Sequence, residues 1–104
     1  MEKNRHRNKD KYKIFCDAIL SISSVEECEC FMFDLFTMPE LDMLTQRLQI
    51  AKCFYEGAPT YNQVVESVKV SSATVSRVRQ AYKHGNDGFK IVFDKIKNKK
   101  GRSE

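Results

Sequence analysis

The sequence has no long apolar run, and its 104 residues include only two prolines and four glycines. No segment approaches the ~20 consecutive apolar residues that a membrane-spanning helix requires. The charged start, MEKNRHRNKDKYK, is not followed by the apolar core of a signal peptide. A cytoplasmic location is therefore expected, and the four cysteines are expected to be reduced thiols rather than disulfides.

Motifs that carry enzyme chemistry are missing as well. There is no glycine-rich phosphate loop, no nucleophile motif and no acid pair in a recognisable frame, so we expect neither an enzyme nor a cofactor. Cys28 and Cys30 lie closer together than the paired cysteines of zinc sites, and the only histidines are His6 and His84. Burial of these cysteines as small apolar side chains is expected instead of a metal site.

No strand pattern or internal repeat is present, which leaves an all-α fold in one domain, residues 1–104. Helical spacing of apolar residues, T-x-x-E or S-x-x-E capping boxes and the helix-ending Gly57 and Pro59 define the elements. The expected helices cover 11–21, 25–36, 38–57, 60–68, 72–84 and 87–97. Residues 1–10 and 98–104 are expected to be flexible basic tails.

The third helix is apolar on two sides. The first stripe consists of Leu41, Leu44, Leu48 and Ala51, and the second of Met43, Ile50 and Phe54. A helix with two apolar sides needs cover on both. One side is expected to pack within the chain and the other against a second copy.

Charge is strongly separated along the chain, although the formal net charge is only +4. The net charge is +4 for residues 1–13, −6 for 14–59, +3 for 60–84, zero for 85–96 and +3 for 97–104. Such separation favours binding of a polyanion to one side of the molecule.

Residues 60–84 have the pattern of a helix-turn-helix. Thr60 and Gln63 form a T-x-x-Q capping box, and Ser71 or Ser72 can cap the second helix. In that second helix, Val75, Val78 and Tyr82 recur on one face. The segment has a single acid, Glu66.

The other face of the second helix combines short polar side chains with cations, which suits phosphates and base edges. A plain helical hairpin inside a bundle is the alternative interpretation. The basic N-terminal arm is either a further DNA contact or a solvated tail. The residues predicted to bind DNA are Lys69, Ser71, Ser72, Ala73, Thr74, Ser76, Arg77, Arg79 and Lys83.

From Asp34 to about Ile96 the chain resembles the Trp repressor family, and within it the Trp-repressor-related YerC/YecD subgroup. The segments that carry the resemblance are LFTMPEL (35–41), QRLQI (46–50), EG (56–57), ATVSR (73–77) and GNDGFK (85–90). The resemblance implies a six-helix subunit in an intertwined homodimer. The first, second, third and sixth helices would form a shared core, and the fourth and fifth would form the DNA-reading heads.

Two such heads would reach successive major grooves ~34 Å apart, so a near-palindromic operator is implied. Trp repressor itself is among the proteins from which this geometry is known, so the spacing comes with the resemblance. The implied function is sequence-specific transcriptional regulation, with repression favoured over activation. The alternative is a protein-interaction module whose helix-turn-helix contacts the transcription machinery.

The resemblance also places Thr37, Arg47 and Arg77 where the repressor holds its tryptophan co-repressor. Two neighbouring positions differ, because Val78 replaces a glycine and Ala81 replaces a serine that meets the ligand. Tryptophan is therefore not expected as the effector. A different small-molecule co-repressor, a filled site that needs no ligand, and a purely structural ion pair between Arg47 and a carboxylate all remain open.

Overall fold

The computed structural model describes residues 9–57 and 61–102, and these residues form six α-helices without a strand. The helices are α1 (Lys9–Ser21), α2 (Val25–Leu35), α3 (Met38–Tyr55), α4 (Tyr61–Val68), α5 (Ser72–His84) and α6 (Gly88–Arg102). The predicted all-α fold with six helices is confirmed. α1 begins two residues before its predicted start. α6 continues to Arg102, into the segment predicted to be a flexible tail.

Side-chain caps explain where the helices begin. In the box before α3, the Thr37 amide donates to the Glu40 carboxylate at 2.9 Å and the Glu40 amide donates to the Thr37 hydroxyl at 3.3 Å. Ser24 caps α2 by accepting from the Glu27 amide at 3.1 Å. The Glu27 carboxylate, however, accepts from the backbone and hydroxyl of Ser23, not from Ser24. These bonds from Ser23 lower the pKa of Glu27.

Two glycines end helices for different reasons. Gly57 follows α3 with φ +82°, a left-handed conformation that glycine adopts without steric cost. Gly85 follows α5, and its amide donates to the Ala81 carbonyl at 2.9 Å. A side chain at position 85 would collide with that same carbonyl oxygen, so only glycine fits there. The predicted Thr60–Gln63 capping box and Pro59 involve residues outside the described part of the chain.

The chain divides into two compact units, Met1–Asp42 and Met43–Glu104. The prediction of a single domain is not tested by this division and stays a prediction. In the first unit, no described residue of α1 or α2 is buried. Large apolar side chains there are exposed, including Ile14 at 77%, Leu20 at 82% and Val25 at 70%.

The resemblance predicts that α1 and α2 lie in a core shared with a second copy. The single chain does not test that prediction, and the expected burial of Cys28 and Cys30 stays a prediction as well. Cys16 and Cys30 are exposed and Cys28 is only half-buried. Within the described residues, the apolar side chains of α1 and α2 are at most half-buried. Cys53 packs against the core of the second unit.

The core of the second unit joins α3, α4, α5 and α6. Its buried residues are Ile50, Ala51, Val64, Val75, Val78 and Phe93. Around them lies a series of aromatic contacts, in which Tyr55 meets Phe93 with ring centroids 5.3 Å apart. The Tyr55 hydroxyl donates to the Asp94 carboxylate, and this bond raises the pKa of Tyr55 to about 12.

α3 is buried only towards its C-terminal end. Ile50 and Ala51 are fully buried, whereas Met43, Leu44 and Leu48 are 43%, 37% and 48% exposed. Ala51 of the first predicted stripe and Ile50 of the second are thus covered within the chain, and Phe54 of the second packs against the same core. No helix among the described residues is both long and apolar enough to cross a membrane.

Candidate nucleic-acid interface

α4 and α5 form the helix-turn-helix predicted from the sequence, joined by Lys69, Val70 and Ser71. The Lys69 amide donates to the Val65 carbonyl at 2.9 Å, which closes α4. Lys69 has φ +63°, so a lysine occupies a left-handed conformation that usually belongs to glycine. Ser71 has extended backbone and caps α5, accepting from the Thr74 amide at 3.2 Å.

The core fixes the orientation of α5. Val75 and Val78 are buried against Val64 and α3, and Val70 and Tyr82 pack at the edge of the same cluster. The apolar face predicted for the second helix is therefore the face that contacts the core. The opposite face has to point away from the unit.

The direction of each α5 side chain follows from this packing, since a helix turns about 100° per residue. We take the midpoint between Val75 and Val78 as the core direction. Measured from it, Ala73 lies about 170° away, and Ser76 and Arg77 about 130° away, so these three define the outward face. All three are exposed.

The other predicted DNA-binding residues of α5 lie on the flanks of the outward face. Lys83 is about 110° and Ser72 about 90° from the core direction, whereas Thr74 and Arg79 are only about 70° from it. Thr74 is half-buried, and its hydroxyl lies 3.0 Å from that of Ser71. The Thr74 hydroxyl thus already lies within hydrogen-bonding distance of Ser71 at the helix start, so it is less available for a hydrogen bond to a ligand.

The cations of this region are available for phosphates. Lys69, Arg77, Arg79 and Lys83 are exposed, and within the described residues none of them belongs to an ion pair. Their charges are not balanced by α4, whose single acid is Glu66. The helix N-terminus adds its own partial positive charge beside Ser72 and Ala73.

Two residues on the outward face were missed in the sequence. Gln80 lies about 170° and His84 about 150° from the core direction, and both are exposed. The signal was present, because Ala73, Arg77, Gln80 and His84 follow helical spacing. Neither side chain is a hydroxyl or a permanent cation, the two kinds of group on which the sequence prediction depends.

The three predicted effector residues are not shown to form one site. Thr37 belongs to the first unit, where its hydroxyl caps α3, whereas Arg47 and Arg77 belong to the second. Arg47 is half-buried and donates to the Met43 sulfur at 3.7 Å. It has no carboxylate partner among the described residues, so the structural ion pair considered for it is not observed.

Val78 and Ala81, the two positions that differ from Trp repressor, lie in different surroundings. Val78 is only 3% exposed, and its side chain is part of the core. Ala81 is exposed and lines a shallow groove of about 460 Å³. The residues that line this groove are Leu48, Ala81, Gly85, Asn86, Gly88, Phe89, Val92 and Phe93. No charged side chain is among them, so the groove does not offer an ion pair to an amino-acid ligand.

The described residues contain no group of three or more histidine, cysteine or acidic side chains that could hold a metal ion. Fold and site together define a helix-turn-helix protein of the DNA-binding class. The sequence profile of the Trp repressor protein family matches residues 10–97. The chain belongs to the Trp repressor family, whose members are DNA-binding transcription regulators, and the resemblance inferred from the sequence is confirmed.

Individual relatives agree with this assignment. The protein YerC of Bacillus subtilis is 36% identical over 97 residues, which are 93% of this chain and 91% of YerC. A crystal structure of a proposed Trp repressor from Staphylococcus aureus has a TM-score of 0.79 at 36% identity, covering 93% of this chain and 95% of its own. A TrpR-like protein from Eubacterium eligens has a TM-score of 0.76 at 34% identity, covering 90% and 95%.

Proposed function

We propose that this protein is a cytoplasmic, homodimeric transcriptional repressor that reads a near-palindromic operator through α5. The observation that carries the proposal is the outward face of α5, where short side chains at the helix start are followed by cations that form no ion pair with any residue the structure describes. Repression follows from occupation of the promoter. No catalytic role is proposed for any residue.

The N-terminal end of α5 suits close approach to DNA. Ser72, Ala73 and Ser76 have small side chains, so the helix start can come near a phosphate and its partial positive charge can act on it. Lys69 precedes the helix, and Arg77, Arg79 and Lys83 follow along it. These cations supply the phosphate contacts that position such a helix in the groove.

Exposed apolar side chains support the homodimer. α1, α2 and the first half of α3 leave large apolar residues uncovered, and α6 does the same with Ile91, Val92 and Ile96, each about half exposed. A folded chain in water rarely leaves so many apolar side chains uncovered unless they form an interface. A second copy that covers them is also what the family resemblance implies.

We further propose that tryptophan is not the effector. Val78 is buried in the core at the position where the repressor has a glycine, and the side chain of Ala81 offers no hydrogen bond to an amino group. Thr37, Arg47 and Arg77 remain the residues proposed to hold any other small-molecule co-repressor. A protein that needs no effector is the alternative.

Selection of bound duplexes from random oligonucleotides tests the proposal directly. A pair of related half-sites with centres one helical turn apart is the expected result. About four to six phosphate contacts per dimer should give log K a slope of about −4 to −5 against log salt. A protein-interaction module would give a shallower slope with its partner and no selected duplex, and that outcome would refute the proposal.

A further inference from the structure

We propose that Gln80 reads a base directly and recognises one adenine in each half-site. This inference rests on the proposed function and extends it, because it assigns part of the sequence preference to a particular side chain. Gln80 is exposed, and its amide makes no hydrogen bond within the described residues.

The position of Gln80 on α5 is the first argument. It lies about 170° from the core direction, as far from the core as Ala73 and farther than Arg77 or Lys83. A helix that enters a groove with its core side facing the protein presents the opposite side to the base edges. Gln80 therefore lies at the centre of the surface that would meet the bases.

The spacing along the helix is the second argument. Ala73, Ser76, Arg77 and Gln80 stand at i, i+3, i+4 and i+7. The groove-reading helix of homeodomains uses four residues at the same spacing. From Ala73 to Gln80 the helix rises about 10.5 Å. That distance is comparable with the major groove's ~12 Å width, so all four residues can face it at once.

The chemistry of the side chain selects the base. A glutamine amide offers one acceptor and two donors, and it pairs with N7 and N6 of adenine in the major groove. Ser76 can pair with any base, and Arg77 favours guanine. On the outward face of α5, Gln80 is the one residue whose hydrogen-bonding groups favour adenine.

Gln80→Glu gives the sharpest test. Duplex selection is run with the parent, Gln80→Glu and Gln80→Ala, and the selected operator is then titrated with each protein. The parent should require adenine at one position of each half-site. Gln80→Glu should shift that position towards cytosine, whose amino group glutamate accepts. Gln80→Ala should lose the preference there, a discrimination of about 5- to 150-fold for a good bidentate contact.

Lys83→Gln is the matched control. It removes a charge from the same helix, but Lys83 lies on the flank of the outward face, so the new side chain adds no base contact at the centre of that face. It should weaken binding to all duplexes by a similar factor and leave the selected sequence unchanged. If the parent selects an operator and both Gln80 variants select the same one with equal affinity, the assignment of Gln80 is wrong while the proposed function stands. If the parent selects no sequence, both are refuted.

Discussion

Replacement of Lys69 by glycine should make the protein more stable and a weaker DNA binder at the same time. Lys69 has φ +63°, a conformation that costs about 1–2 kcal/mol for a residue with a Cβ. Glycine removes that cost but loses more backbone entropy on folding, by about 0.5–1 kcal/mol. The free energy of unfolding should therefore rise by about 0.5–1 kcal/mol in Lys69→Gly. For a domain of this size we expect an increase in Tm of about 2–8 °C.

The effect on DNA has the opposite sign. If Lys69 contacts one phosphate in each head, its loss removes two contacts per dimer. The slope of log K against log salt should then become shallower by about 1.8. Thermal unfolding and salt-dependent titration of the selected operator measure the two effects separately.

Lys69→Ala is the matched control because it removes the charge and keeps the Cβ. It should change the salt slope as Lys69→Gly does, without the gain in Tm. Equal Tm values for the two variants would show that the left-handed turn is not strained. An unchanged salt slope in both would show that Lys69 does not contact the DNA backbone.

Four further predictions concern other parts of the protein. Gly85→Ala should lower the free energy of unfolding by about 1–3 kcal/mol, because the new methyl group collides with a backbone carbonyl. In Gly88→Ala the methyl group would have no neighbour within 4 Å, so chemical denaturation should find the parent's stability or slightly more. Tyr55 should ionise near pH 12, and Asp94→Asn should bring its pKa back towards the ordinary 10. Because folding raises this pKa, the bond's contribution to stability is complete below pH 10 and is lost between about pH 10 and 12. Ultraviolet titration of tyrosinate measures this, and an Asp94→Asn profile identical to the parent's would contradict the assigned bond. L-tryptophan should leave Tm unchanged at millimolar concentration, whereas a saturable increase would overturn our interpretation of Val78.

Local rules predicted the helices well because their signals lie within a few residues. The Thr37–Glu40 box starts α3 as expected, and Gly57 and Gly85 end α3 and α5. Glu27 shows the limit of such rules. Its spacing from Ser24 predicted a reciprocal box, but its carboxylate accepts from both the amide and the hydroxyl of Ser23, whereas the reciprocal box would supply one donor.

Burial and side-chain direction were harder to predict because they depend on residues that are distant in sequence. The apolar spacing of α1 and α2 identified a face, but it could not show that the described residues of this face are at most half-buried in the single chain. Gln80 was missed because the centre of the outward face is known only once Val75 and Val78 are seen to be buried.

The absence of buried residues in α1 and α2 has a consequence for the concentration at which the regulator works. If a second chain supplies their cover, each subunit completes its fold only on pairing, and the fraction of competent protein rises steeply with the amount synthesised. At low expression too few folded dimers would form to occupy the operator. A modest increase in synthesis would then be enough to occupy it. Occupancy of the operator would then depend on the concentration of the protein itself, without any added ligand.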